Sequence, residues 1–161
     1  MLIRDFYRDH QSRSPLFPDL PREFLHYLAE ERAAGMHTDK HADPPFIYDL
    51  AHYEWVEAGL MLAEDQTPQV ANPDGNLLEK IPVISNVAWL LAYDWPVNKI
   101  GKAYQPETAS EQPLYYLVYR DVDEEIIFVQ LNAVSARLFE ILNDANLITG
   151  QQALIQLAGE L

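Results

Sequence analysis

Apolar residues recur at helical spacing near both ends of the chain and at strand-like spacing in between, and this change of period divides the sequence. Met1 to about Gln66 reads as helices: Leu2 to His10, Pro21 to Ala34 closed by Gly35, and Pro45 to about Ala63. In the third, Ile47, Leu50, Ala51, Trp55, Ala58 and Leu62 form a core-facing stripe, with Asp49 in the first turn where the helix dipole favours an anion. After the turn Asn72-Pro73-Asp74-Gly75 the period shortens. Ile81 to Tyr93 and Val97 to Ile100 read as short strands, although Val87-Ala88-Trp89-Leu90-Leu91 fits a buried helical turn equally well. The clearest feature is a hairpin: Leu114 to Arg120 and Glu125 to Leu131 are β-branched and aromatic runs joined by Asp121-Val122-Asp123-Glu124. Helical spacing then returns. Asn132 is placed to cap a helix with Val134, Leu138, Ile141 and Leu142 on one face, ended by Asn143 to Asn146. Thr149 and Gln152 have capping-box spacing ahead of a last helix striped by Leu154, Leu157, Ala158 and Leu161.

A two-stranded hairpin is marginal alone, so the helices and one more strand between Ile81 and Ile100 must back it. The expected fold is α+β: a helical N-terminal part over residues 1–66, then a small antiparallel sheet with winged-helix-like C-terminal helices over residues 67–161. Such a layout has two uses, placing a helix in a DNA groove or adding a peptide as an extra strand along an open sheet edge.

Composition narrows the choice. The 161 residues are 48% apolar and 11% aromatic, enough to bury a core, and the absence of cysteine removes disulfide scaffolds, thiolate metal sites and cysteine catalysis. No apolar run approaches the ~20 residues of a membrane span, and Met1 opens a charged stretch, so a cytoplasmic protein without a membrane partner is expected. The formal charge is −14. Residues 1–40 are nearly balanced, six basic against seven acidic, whereas from Ala103 to Leu161 only Arg120 and Arg137 oppose nine carboxylates. Nucleic-acid affinity comes largely from Lys and Arg neutralising phosphates, so strand addition of a peptide is favoured over DNA. A DNA-binding regulator is the alternative, and it needs basic residues outside the chain or a patch built from Arg4, Arg8, Arg13 and Arg22.

Catalytic motifs are absent: there is no Gly-rich phosphate loop, no nucleophile elbow and no His-Glu-x-x-His. His37 and His41 with Asp43 crowd metal-ligating groups into seven residues, yet Gly35 and Pro44-Pro45 bracket them in a connector, which makes them weak metal candidates. His52 and Glu54, two apart on a helix, point to different faces and form no acid–base pair. Asp121, Asp123, Glu124 and Glu125 read as a solvated hairpin tip that discourages edge-to-edge aggregation. Tyr115, Tyr116, Tyr119 and Phe128 offer rings for stacking on bases, but in so acidic a segment core packing is the better reading.

Leu131-Asn132 opening a helix, then a short turn and Thr149 capping the next helix, resembles the small peptide-chaperone domain of pyrroloquinoline quinone biosynthesis, which holds leader peptides of enzymatically modified precursors. That resemblance implies a peptide paired along the second hairpin strand at Ile127, Phe128, Val129 and Gln130, with Arg137 on the following helix. The third helix that walls the groove in that domain would lie beyond Leu161. A wider resemblance runs through Arg4-Asp5-Phe6-Tyr7, Ser14-Pro15-Leu16-Phe17, Ala51-His52-Tyr53-Glu54-Trp55, Tyr93-Asp94-Trp95-Pro96-Val97 with Ile100-Gly101, Tyr119-Arg120-Asp121 and Leu131-Asn132-Ala133. These segments look like the later part of a bacterial family labelled as DNA-binding-domain-containing proteins, whose members accompany multinuclear non-haem iron enzymes that modify peptide cysteines. The resemblance implies a non-catalytic adaptor without a cofactor, partnered by a precursor peptide and an iron-dependent modifying enzyme. It also implies a chain truncated at both ends, with residues 1 to about 34 the tail of a helical domain and a homodimer arising if another copy supplies the flanks.

Overall fold

The computed structural model describes residues 2–10, 19–32, 43–66, 72, 74–144 and 147–161. The order is α1 (Leu2–Asp5) continuing as a π-helical turn (Phe6–His10), α2 (Leu20–His26) continuing likewise (Tyr27–Arg32), α3 (Ile47–Leu62), β1 (Ala88–Tyr93), a 3-10 turn (Val97–Lys99), β2 (Leu114–Arg120), β3 (Ile126–Leu131), α4 (Ala133–Asn143) and α5 (Gly150–Glu160). The fold is α+β, as its periodicities require. The chain divides into two compact units, Met1–Val56 with Trp95–Ala109, and Glu57–Asp94 with Ser110–Leu161.

In the first unit aromatic rings carry the packing. Phe6, Tyr27 and Leu28 are buried together, with Leu2, Leu20, Phe24 and Ala51 against them. Phe6 meets Tyr27 and Phe24 edge-on at centroid distances of 5.4 and 5.3 Å, geometries that suit the ring quadrupoles. His10 is buried in this cluster because carboxylates satisfy it: Nδ1 lies 2.7 Å from Glu31 and Nε2 3.4 Å from Glu23. Elsewhere in the unit Phe46 packs on Trp95 beside buried Val97.

The second unit is organised by its hairpin. Asp121 closes the turn twice over: its backbone N–H donates to Glu125 C=O at 2.9 Å, and its Oδ1 accepts from the N–H groups of Asp123 and Glu125. The count of residues leaves Glu124 in the left-handed region at φ 62°. Strands β2 and β3 are therefore antiparallel, with Tyr115 opposite Leu131 and Arg120 opposite Ile126. Strand β1 adds to the other side of β2, Ala88 opposite Tyr119 and Tyr93 opposite Leu114, giving the order β1-β2-β3. Val118 and Tyr116 on the central strand are buried. At the end of β2 the Arg120 guanidinium donates to the carbonyls of Leu60 and Met61 in the last turn of α3 and of Ala63 just beyond it, and the Leu60 carbonyl also accepts from the Ala63 N–H. Asn86 supplies a second tie, accepting from Gln66 N–H and donating to Glu64 C=O.

Both C-terminal helices start on the predicted caps. Asn132 Oδ1 accepts from Ser135 N–H at 2.8 Å, and Thr149 with Gln152 forms a complete capping box. The two helices share a core of Ile141, Ala153 and Leu157, flanked by Leu138, Leu142 and Ile148. The first N–H groups of α5 meet protein carbonyls: Gly150 donates to Leu77 and Lys80, and Gln151 to Leu78. A Cβ at Gly150 would collide with the Leu77 carbonyl oxygen, so only glycine permits this approach.

Three expectations are corrected. Val97 to Ile100 is no strand: Pro96 enters a turn at φ −75°, and Val97–Lys99 coils as a 3-10 segment. On α3 the fully buried residues are Val56 and Leu60, while Leu62 is 63% exposed, because it lies two positions beyond Leu60 and projects to the other side of the helix. On α5 the buried line is Gly150, Ala153 and Leu157, with Leu154 and Leu161 exposed, because Ala153 and Leu157 are the residues that pack on Ile141 of α4 while Gly150 abuts the Leu77 carbonyl. Of Val87 to Leu91, Ala88 to Leu91 form the start of strand β1 and Val87 lies in the turn before it. The predicted stop Gly35 and the end signals at Ala145 and Asn146 lie outside the described residues.

Three substitutions test this account by chemical denaturation. Gly150→Ala is expected to cost about 1–3 kcal/mol through overpacking, whereas Gly159→Ala, with open space at its Cβ, is neutral or gains up to about 1 kcal/mol. Arg120→Ala should cost about 1–3 kcal/mol by orphaning the α3 carbonyls, and a stability unchanged within error would show that water caps them as well.

Candidate functional site

Three strands in an open sheet leave two edges among the described residues, β1 and β3. Which backbone groups each edge presents follows from antiparallel alternation, in which successive residues turn their N–H and C=O to opposite sides. The Asp121-to-Glu125 bond fixes the phase on β3: Ile127, Val129 and Leu131 turn inward to β2, and Ile126, Phe128 and Gln130 turn outward. On β1 the Arg120 N–H donates to Val87 C=O, so Trp89, Leu91 and Tyr93 turn to β2 and Ala88, Leu90 and Ala92 turn outward. Of the outward groups on β1, the Ala88 N–H donates to Ser85 C=O.

The residues expected to hold a peptide thus divide. Phe128 and Gln130 have the outward backbone, whereas Ile127 and Val129 can present only side chains, with Val129 37% exposed. Arg137 is on the exposed side of α4 and is already engaged, donating to Glu160 at 2.6 and 3.0 Å and to Glu140 at 2.9 Å. Those hydrogen bonds hold its proton more tightly than in a free guanidinium and pull the Glu160 carboxyl below its usual range, with Gln156 adding a donor. Arg137 reaches an incoming carboxylate only by releasing these partners.

A concavity that the sequence did not reveal lies along the opposite edge. Ala88, Trp89, Leu90 and Leu91 of β1 and Phe139, Glu140 and Asn143 of α4 line a cavity of about 480 Å³. Its signal was the unbroken apolar run of β1, ambiguous between strand and helix, and nothing local indicates that α4 folds back over it. The electrostatics are lopsided. The second unit holds 14 acidic against three basic side chains, a formal −11, and two of the three, Arg120 and Arg137, are spent on internal carbonyls and carboxylates.

The other candidates yield less. His37 and His41 lie outside the described residues, among which no group of three or more His, Asp and Glu is placed to hold a metal ion. His52 sits between Tyr48 and Trp55, its pKa lowered by burial against the opposing pull of Asp49. Glu54 is exposed. Of the arginines proposed for DNA, Arg8 pairs with Asp5 and Asp9 at 3.2 and 2.6 Å, Arg22 lines a hollow with Asp19, Glu23 and His26, and Arg13 is outside the described residues. Among the described residues no helix is long and apolar enough to cross a membrane.

What these elements define is a three-stranded antiparallel sheet with β1 and β3 at its edges among the described residues, packed by the capped helix α4, on which the capped helix α5 lies. Residues 85–161, from just before β1 through α5, match the family model of the HvfC C-terminal domain, so over this stretch the chain is similar to that domain. No curated protein matches the chain.

The Arg137–Glu160 pair gives a pH signature. A carboxyl whose folded pKa is lowered contributes fully above its unfolded value of 4.5 and loses that contribution as pH falls through the folded value. A carbon-13 titration of the Glu160 carboxyl should have its midpoint below 4.5, and Arg137→Ala should return it toward 4.5; a midpoint unmoved by the substitution would show that the pair does not persist in solution.

Proposed function

We propose that the chain is a non-catalytic adaptor that binds an extended precursor peptide and presents it to a separate, iron-dependent modifying enzyme. The observation that carries this reading is the β3 edge, the outer strand of the sheet among the described residues, which turns the backbone groups of Ile126 and Gln130 away from β2 at the spacing of a further strand. Main-chain hydrogen bonds supply the affinity in this mode, and the side chains of alternate residues supply selectivity. The HvfC-like stretch covers the whole sheet and both capped helices, which supports assigning the binding role to this part of the chain. The winged-helix-like arrangement and the leader-peptide resemblance point the same way, and the charge of −11 on this unit opposes the alternative of DNA binding.

Titrating the leader of a precursor encoded beside the chain should shift the amides of Phe128 and Gln130 most, since those of Ile127 and Val129 point into the sheet. Gln130→Pro removes one outward N–H without touching the β2 ladder, and should weaken binding about tenfold or more while the fold persists. Unchanged Phe128 and Gln130 resonances at saturating peptide would reject this surface. Binding to mixed duplex DNA at ~50 mM salt, weakening steeply as salt rises, would favour the regulator instead.

A further inference from the structure

We infer that the groove between β1 and α4 is a second docking site, distinct from β3, and that its occupant is an extended basic segment of a partner protein, with Lys or Arg alternating with apolar residues. Three observations converge on it. The first is an open ladder: Leu90 and Ala92 turn both backbone groups away from β2, and β1 is the outer strand on that side. Main-chain pairing there requires an extended partner, because only a strand repeats its donors and acceptors at the spacing of the ladder. The second is a wall. Phe139, Glu140 and Asn143 rise from α4 opposite Ala88–Leu91 and enclose about 480 Å³, so side chains on one face of an added strand enter a cavity lined by Trp89, Leu91 and Phe139.

The third observation is charge, and it selects the occupant. Glu140 lines the cavity, and the unit around it has a formal charge of −11 with two of its three cations already engaged. A second copy of this chain would bring an equally acidic unit to the same edge and be repelled, and a nucleic acid would be repelled for the same reason. A strand whose apolar side chains enter the cavity beside Phe139 carries its alternating basic side chains on the other face, where the −11 charge of the unit favours them. Arg137 shares Glu140, so an incoming cation either joins that pair or displaces Arg137 toward Glu160.

The test uses the full chain, nitrogen-15 labelled, with a blocked ten-residue peptide of alternating Lys and Val as probe and its Glu–Val counterpart as control. The Lys peptide should shift the amides of Leu90 and Ala92, leave Phe128 and Gln130 in place, and bind about tenfold or more weakly at ~500 mM than at ~50 mM salt. Leu90→Pro removes the central outward donor of β1 and should lower affinity about tenfold. Should that variant fail to fold, Glu140→Lys tests the same groove from the helix and should weaken binding by a similar factor. Gln130→Pro, which closes β3, should leave this binding unchanged, so the two sites stand or fall separately. Equal binding of the acidic peptide, shifts at Phe128 and Gln130 in place of Leu90 and Ala92, no binding of the Lys peptide at ~50 mM salt, or a concentration-dependent dimer that occupies Leu90 and Ala92 would each overturn the proposal.

Discussion

The Arg120 guanidinium is the point on which the second unit turns. The last carbonyls of a helix lack the N–H groups of a further turn, and at the end of α3 those of Leu60 and Met61, with that of Ala63 just beyond, converge on one planar fork of donors. Because Arg120 is also the last residue of β2, the same contact fixes where the central strand stops and where the Asp121 turn begins. Lysine has the charge but not the fork, and a single ammonium would have to choose among carbonyls that the guanidinium serves together. The contact has an electrostatic consequence as well. It withdraws one of the few cations from the surface and leaves the exterior of the unit more acidic than its composition suggests.

What was legible in the sequence was local. The caps at Asn132 and Thr149 and the Asp121 turn each depend on a side chain bonding backbone within four residues, so residue type and spacing suffice. Strand β1 was ambiguous because its partner is distant: Ala88 pairs with Tyr119, and six consecutive apolar residues carry no period of two. The stripe of α5 was misread for a different reason. Hydrophobic pattern favours the larger Leu154 and Leu161, whereas the face that is buried is set by the neighbours α5 meets, Ile141 of α4 against Ala153 and Leu157, and the Leu77 carbonyl against Gly150. Likewise the β3 edge could be anticipated from the hairpin alone, but the groove beside β1 exists only once α4 has folded back.

An open three-stranded sheet normally invites association through its borders, and barrels or covering helices are the usual remedies. Here the remedy is charge. Carboxylates crowd the hairpin tip and the helical side, and they discourage pairing between identical units while leaving the ladders open to other chains. On the binding reading proposed above, the same charge would also make the edges selective, favouring an extended segment of compatible charge over a second copy.

None of the five histidines falls within this second unit; all lie in the first. Histidine is the side chain whose charge ordinarily changes nearest neutrality, so the second unit carries no imidazole to act as a switch there, and a contact built on its carboxylates would answer first to the ionic strength of its surroundings.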